Sequence, residues 1–333
     1  MKRIISGIQP TNNITLGNYL GSIKEFVKFQ DSNEMFVFVA NLHSLTTKNI
    51  DADLLRQNSR DVIKTFIACG LNPEKVCIFY QSDILEHAML EHILMCNTTL
   101  GELNRMTQFK DKSEKAQKQN NGTTMIPTGL LIYPVLMASD ILLYDTDLVP
   151  VGADQKQHLE LTRNIAIRFN NQYKSELFKI PEPCIPKVGA RIMDLQNPNI
   201  KMSKSAESTK GVIFLNDPLE ISIKKIKSAI TDNFNNIKFD MENQPGVSNL
   251  IGIYSSLSGL SINEIEEKFN GQNYGELKNA IIDEYSKFHK EYTKKWNSLT
   301  NDMVDQLAKK WAIKAKEVAS NKLNQIYKAI GLL

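Results

Sequence analysis

The sequence predicts a doubly wound parallel α/β sheet followed by an α-helical C-terminal part. Three observations carry this. Apolar strand and helix patterns alternate with short links from Arg3 to Tyr80, the signature of parallel strands joined by crossover helices. Strand signals stop near Asp217, and amphipathic helical spacing runs from there to Leu333. At 333 residues about two domains are expected, enough chain to bury a core without staples.

Arg3–Ile8 reads as a short β run ending at Pro10. Tyr19, Leu20, Ile23, Phe26 and Val27 recur at helical spacing. Met35–Leu42 is continuously apolar, as a strand buried on both faces must be. Leu54, Leu55, Val62, Ile63, Phe66 and Ile67 mark a second helix, stopped by Gly70 and Pro73, and Val76–Tyr80 is a third strand. The polar stretch from Lys112 to Thr128 lacks apolar periodicity and reads as a mobile loop. An apolar helix follows Pro134, then a strand at Asp147–Val151 and a helix over Leu159–Ile167. Beyond 217 the helical sets are Ile221, Ile226, Ala229 and Ile230, then Ile281, Ile282, Tyr285, Phe288 and Tyr292, then Val304 to Ile330.

Composition narrows the function. Net charge is 40 − 37 = +3, so any nucleic-acid surface must be local. The last sixty residues carry 11 Lys against 7 acidic residues, a local excess of four. Only seven of the 40 basic residues are Arg, with none after Arg191. The four cysteines are scattered without a C-x-x-C pair, so a zinc ribbon or redox dithiol is excluded and reduced, mostly buried thiols are expected. The start MKRIISGIQP has no apolar signal region, and Gly129–Tyr144 is broken by Pro134, Ser139 and Asp140, so no membrane span and a cytoplasmic protein are expected.

Four segments carry candidate chemistry. Ser6-Gly7-Ile8-Gln9-Pro10 and Thr15-Leu16-Gly17-Asn18 form a strand–turn–helix at the first crossover, where ligands sit in open α/β sheets. Gly17 permits close approach to the backbone. Asn18 either donates to a phosphate at the helix terminus or merely caps it. Lys201-Met202-Ser203-Lys204-Ser205 places two lysines three apart among hydroxyls, a grip for polyphosphate. Gly152-Ala153-Asp154-Gln155-Lys156-Gln157-His158 follows a strand and opens a helix; Asp154 suits ribose hydroxyls and Gln155 an amino group. Tyr133, Met137, Asp140 and Tyr144 share one helical face. A carboxylate in apolar surroundings must find a donor. An indole N–H, which only donates, and an internal Arg or backbone N–H weigh about evenly. His43 is either a core histidine or a pocket wall, while His87 and His92 read as surface. No three of the histidines have metal-ligand spacing.

The turn motif together with Lys201–Ser205 resembles the HIGH and KMSKS signatures of class I aminoacyl-tRNA synthetases. The ordered set Ser6–Gln9, Gly101–Lys112, Met137–Tyr144, Val149–Thr162, Pro186–Met193 and Lys201–Ser205 is most similar to the bacterial tryptophanyl family, nearly end to end. The resemblance implies ATP-dependent activation of L-tryptophan to tryptophanyl-AMP, release of pyrophosphate, and transfer to tRNA(Trp). It implies Gln9, Pro10, Thr11, Gly17 and Asn18 against ATP, and Gly152, Ala153 and Asp154 against adenosine. Ile192 and Met193 would meet the adenine, with Met202, Ser203 and Ser205 completing the nucleotide site. Lys112, Lys201 and Lys204 would neutralise the polyphosphate, joined by Gln9 and Asn18 in catalysis. Asp140 would accept the indole N–H, with Met137, Val149, Val151, Ile5, Gly7 and His43 around the ring and Tyr133 and Gln155 at the amino group. It further implies Mg²⁺, a homodimer and no partnership with DNA. The expected division is a catalytic Rossmann-like domain over 1–200, with a dimer interface within about 80–175, a KMSKS loop over 201–216, and an anticodon-binding domain over 217–333. Departures from the pattern are Ile5 for Phe, Asn41 for Asp, Ala153 for Glu and Ala206 for Asp.

Overall fold

The computed structural model describes residues 1–10, 14–46, 51–119, 126–152, 155–184, 191–203 and 208–333, with the backbone alone over 115–119. Five strands, β1 (Lys2–Ile8), β2 (Asn33–Val39), β3 (Cys77–Tyr80), β4 (Leu148–Pro150) and β5 (Glu182–Cys184), form one sheet in the order β3-β2-β1-β4-β5. Every pairing is parallel, with Ile5 opposite Phe36, Phe38 opposite Phe79 and Ile4 opposite Leu148. The order reverses between β1 and β4, so the carboxyl ends of these two strands open the crevice where such sheets bind ligands.

The continuously apolar strands are explained by helices on both faces. Alternate residues point to opposite sides: Ile4, Met35, Val37, Val39 and Ile78 enter one core, and Ile5, Phe36, Phe38, Cys77 and Phe79 the other. Each fully buried Phe or Ile contributes about 2–3 kcal/mol of transfer free energy.

The first crossover begins with α1 (Leu16–Asn18), continues through a π-wound stretch Tyr19–Ile23, and ends in α2 (Lys24–Phe29). The strand expected to Leu42 stops at Val39, because Asn41–Ser44 turns into the short helix α3. α4 (Ala52–Ala68) is capped by Asp51, which accepts from the Leu54 N–H at 2.9 Å. α5 (Glu86–Met95) and α6 (Leu100–Asn104) precede α7 (Thr107–Gln119). The loop expected from Lys112 is therefore helical as far as Gln119; Lys112–Gln119 contains no large apolar residue, so no apolar period marks it. α8 (Thr128–Leu142) and α9 (Lys156–Tyr173) flank β4. β5 went unread because three residues, Glu182–Cys184, give no period.

No strand follows β5 among the described residues. Instead α10 (Leu219–Lys227), α11 (Pro245–Ser258), α12 (Ile262–Lys268), α13 (Tyr274–Ser298) and the 30-residue α14 (Asn301–Ile330) close the chain. Ile221 and Ile230 lie exposed rather than in the apolar set expected of them; Ser222, 0% exposed, and Ile226 face inward instead. These helices share a core with the first crossover: Ile226, Leu250, Ile281 and Tyr285 cluster with Leu16, Ile23 and Val62. The far half of α14 lies on the other face of the sheet, where the Trp311 indole donates to the Pro73 carbonyl at 2.7 Å. Lys322 donates to the Leu177 carbonyl at 2.9 Å and pairs with Asp145 at 2.6 Å. Of the four cysteines only Cys69 and Cys77 are buried; Cys96 is exposed. No helix among the described residues is long and apolar enough to cross a membrane.

Candidate active site

The two motifs, 201 − 18 = 183 positions apart in sequence, meet at the crevice. Thr15 caps α1: its hydroxyl accepts from the Asn18 N–H at 3.1 Å, and Asn18 Oδ1 accepts from the Thr15 N–H at 3.2 Å. Asn18 thus helps to cap the helix head, as the third residue of a capping box whose N-cap is Thr15.

Gly17 faces the second motif. A Cβ placed on it would lie 3.4 Å from Met202 Cβ and 3.6 Å from Ile192 Cβ. Met202 is buried and anchored by its N–H to the Ile192 carbonyl at 3.0 Å. Lys201 bridges antiparallel to Met193 and its side chain is exposed. Leu16 N–H to the Ile213 carbonyl at 2.8 Å and Leu215 N–H to the Ile14 carbonyl at 2.9 Å tie Ile213–Leu215 to the head of α1. Ser203 is half-buried. Lys204 and Ser205 lie outside the described residues, as do Thr11, Ala153, Asp154 and Ala206.

Ile192 and Met193, expected at the adenine, are both buried. Asn249 takes the Met193 N–H at 2.9 Å and donates to its carbonyl at 3.0 Å. The Met193 N–H is thus already spent within the protein. Asn249 lies on α11, far along the chain, and no local motif marks it.

On the β4 side, Gly152 is exposed and its carbonyl accepts from the Gln155 N–H at 3.0 Å. Val149 and Val151 are buried, Gln155 and Met137 half-buried. On the β1 side, Gln9 is exposed and Pro10 buried. Gly7 is exposed, yet a Cβ there would meet the Phe38 ring at 2.6 Å, so this strand position admits only glycine unless Phe38 moves. Ile5 is buried in the core.

Deeper in, Tyr133 and Asp140 line the interior of α8. The Tyr133 hydroxyl lies 3.1 Å from Gln108 Oε1 and 2.8 Å from His158 Nε2, and Lys112 Nζ stands 4.9 Å from the ring centroid. Burial lowers the Lys112 pKa. Asp140 is 2% exposed. Its Oδ1 accepts from Gln81 Nε2 at 2.7 Å and meets His87 Nδ1 at 2.6 Å; Oδ2 meets His43 Nε2 at 2.8 Å. The internal partners are therefore two imidazoles and an amide, not the Arg or backbone N–H weighed from spacing. Burial pushes the carboxyl up, but the charge and hydrogen bonds of His43 and His87 outweigh it and hold Asp140 at about 2. It is a permanent acceptor.

His43 is buried, as the core reading expects, and stands edge-on to the Tyr133 ring at 6.4 Å. His87 corrects the surface assignment, being 0% exposed. It precedes an exposed Ala88 and Met89, so the local pattern pointed outward while its own side chain turns in. His92 is exposed, as expected. Tyr144 falls just past the end of α8, yet joins the group through its hydroxyl, 2.9 Å from His87 Nε2. Asn41, noted as a departure, pairs reciprocally with Ser82 at 2.7 and 3.0 Å. Among the described residues no three His, Cys, Asp or Glu side chains group to hold a metal.

A parallel sheet whose switch point carries a helix head and a second, lysine-bearing loop defines a nucleotide-handling enzyme of the doubly wound class. Residues 1–290 match the model of the class I tRNA synthetases for tryptophan and tyrosine, and the chain belongs to that family. It is 60% identical over 281 residues to the tryptophan–tRNA ligase of Ureaplasma parvum serovar 3, 84% of each chain. It is 51% identical over 333 residues to that of Malacoplasma penetrans, covering 100% of this chain and 98% of the relative. The fold superposes on the Mycoplasma pneumoniae tryptophanyl-tRNA synthetase with a TM-score of 0.93 at 42% identity, covering 99% and 98% of the two chains. The Campylobacter jejuni enzyme complexed with ADP and tryptophan gives 0.79 at 33% identity and 99% coverage of both.

Proposed function

We infer that the chain is a tryptophan–tRNA ligase. It activates L-tryptophan with ATP to tryptophanyl-AMP, releases pyrophosphate, and passes the acyl group to tRNA(Trp). The observation that carries the site reading is the packing of Gly17 against Met202 and Ile192, which brings the helix head and the lysine loop to one crevice. The tyrosyl reading is disfavoured because the relatives at 45–60% identity are tryptophan–tRNA ligases.

The tryptophan carboxylate attacks the α-phosphorus in line, so no protein nucleophile is needed. Positioning and charge stabilisation carry the reaction. Gln9, Pro10 and Thr11 with Gly17 and the Asn18 amide meet ATP at the helix head; Gly152, Ala153 and Asp154 hold the ribose. Ile192 and the flank of Met193 cover the adenine. Lys112, Lys201 and Lys204 balance the charge that builds on the leaving pyrophosphate, with Ser203 and Ser205 beside them. Mg²⁺ accompanying ATP would add positive charge beside Lys112, Lys201 and Lys204. Asp140 accepts the indole N–H. Met137, Val149, Val151, Ile5 and Gly7 enclose the ring with His43, and Tyr133 and Gln155 take the amino group.

We assign residues 1–200 to catalysis, 201–216 to the moving loop and 217–333 to the anticodon, supported by the Lys excess after 274. Exposed Leu85, Met89, Leu100 and Ile167 support a homodimer interface within 80–175. The cytoplasm, where charged tRNA is consumed, is the proposed location. Amino-acid-dependent pyrophosphate–ATP exchange without tRNA tests the reading. Exchange with tryptophan alone is expected; exchange with tyrosine, or with no amino acid, overturns it.

A further inference from the structure

The Asp140 carboxylate is held by more groups than neutralisation requires. A carboxylate has about four acceptor positions. Gln81 and His87 fill two on Oδ1 and His43 fills one on Oδ2, leaving a single position, on Oδ2. Because ionised Asp140 only accepts, His87 Nδ1 carries a proton and donates it. The far nitrogen, Nε2, lies 2.9 Å from the Tyr144 hydroxyl. Burial keeps that phenol protonated, so it satisfies Nε2.

Both rings are 0% exposed. Tyr144 is wedged against Phe36 with centroids 4.9 Å apart and Phe79 at 6.0 Å. The His87 backbone is pinned as well, its carbonyl accepting from Ser139 Oγ at 2.6 Å. His43 stands edge-on to the Tyr133 ring and Gln81 is a neutral amide tied to the Leu42 N–H at 3.1 Å. His87 joins Asp140 to the buried Tyr144 hydroxyl.

We propose that His87, locked by Tyr144, is a positioning residue for tryptophan recognition: it fixes the Asp140 carboxylate so that its one remaining acceptor position, on Oδ2, meets the indole N–H. This rests on the reading of Asp140 as the indole acceptor. The principle is general, since a recognition group must be held by a locked supporting shell.

The test compares kcat/KM in amino-acid activation for tryptophan and for its benzothienyl isostere, in which sulfur replaces the N–H. A site built around a buried acceptor discriminates by roughly 10³-fold or more. His87→Leu removes the donor, His87→Asn returns an N–H near Nδ1, and Tyr144→Phe deletes only the lock. The expected result is a tryptophan-to-isostere ratio at least roughly tenfold lower in His87→Leu and Tyr144→Phe, and largely recovered in His87→Asn. A defect of folding alone lowers both substrates together and leaves the ratio intact. An unchanged ratio in folded Tyr144→Phe overturns the proposal, and this variant decides if His87→Leu does not fold. A tryptophan-to-isostere ratio unaffected by Asp140→Ala, which removes both carboxylate oxygens, shows that Asp140 is not the indole acceptor and so marks failure of the underlying reading.

Discussion

Asn249 brackets Met193 by both main-chain atoms, accepting from its N–H at 2.9 Å and donating to its carbonyl at 3.0 Å. Both residues are buried. One side chain of α11 thereby sets the backbone of Met193, to which Lys201 bridges and which we propose lies at the adenine. Asn249→Ala deletes two buried hydrogen bonds and leaves a donor and an acceptor without partners, a cost of about 2–4 kcal/mol. Chemical denaturation should show that loss, and the exchange assay should show KM for ATP rising several-fold while KM for tryptophan moves little. Equal rises in both would disconnect Asn249 from the nucleotide.

Lys201 is exposed beside buried Met202, and the proposed role of its charge is to balance the leaving pyrophosphate. Lys201→Ala should leave thermal stability within about 0.5 kcal/mol. The rate of tryptophan activation should fall about a hundredfold or more, the scale of losing one charge-stabilising group in a transition state. Tryptophan affinity, read by equilibrium binding, should stay within about twofold. Parallel loss of binding and rate would refute the assignment of Lys201 to the leaving pyrophosphate.

The parts of this molecule that the sequence made legible are those with a period or a local motif. β1, β2 and β3 announced themselves through Ile4, Phe36, Phe38 and Phe79, and the clamp through Gly17 and Lys201–Ser203. What stayed hidden depends on partners far along the chain. His87 lies in a helix flanked by charges, and only Asp140, 53 residues on, explains its burial. Asn249 is an ordinary polar residue until it meets Met193, 56 residues back. The Lys112–Gln119 stretch of α7 was read as loop because it contains no large apolar residue. The internal pairing of Asp140 was foreseen in kind but not in its partners, since no spacing rule joins Gln81, His43 and α8.

Glu91 sits one turn after His87 on α5. Burial lifts its carboxyl to about 7, helped by the charge of Asp140 and opposed by His43. The folded protein then binds this proton more tightly than the unfolded chain, so the fold is favoured at low pH and loses stability as pH rises from about 4.5 through 7. The full penalty of ~3 kcal/mol is screened to about 1 kcal/mol, because the half-buried side chain keeps some contact with water. Glu91→Gln should therefore raise the unfolding midpoint at pH 8 and leave it nearly unchanged at pH 4.5. A gain of equal size at both values would assign the effect to packing instead.

Leu85 is 73% exposed at the head of α5, and Met89, 46% exposed, follows one turn later on the same face. Neither fills the core, and two large apolar side chains side by side mark a surface meant for covering. Leu85→Lys with Met89→Glu should leave the far-ultraviolet circular dichroism of the protein unchanged. Light scattering on the eluting peak should then report a mass near one chain, 37.8 kDa, where the unaltered protein should report two. Tryptophan activation should fall with dimer content as protein is diluted, because α5 also carries His87 behind Asp140. A double variant that still elutes at twice the chain mass would move the interface away from this face of α5.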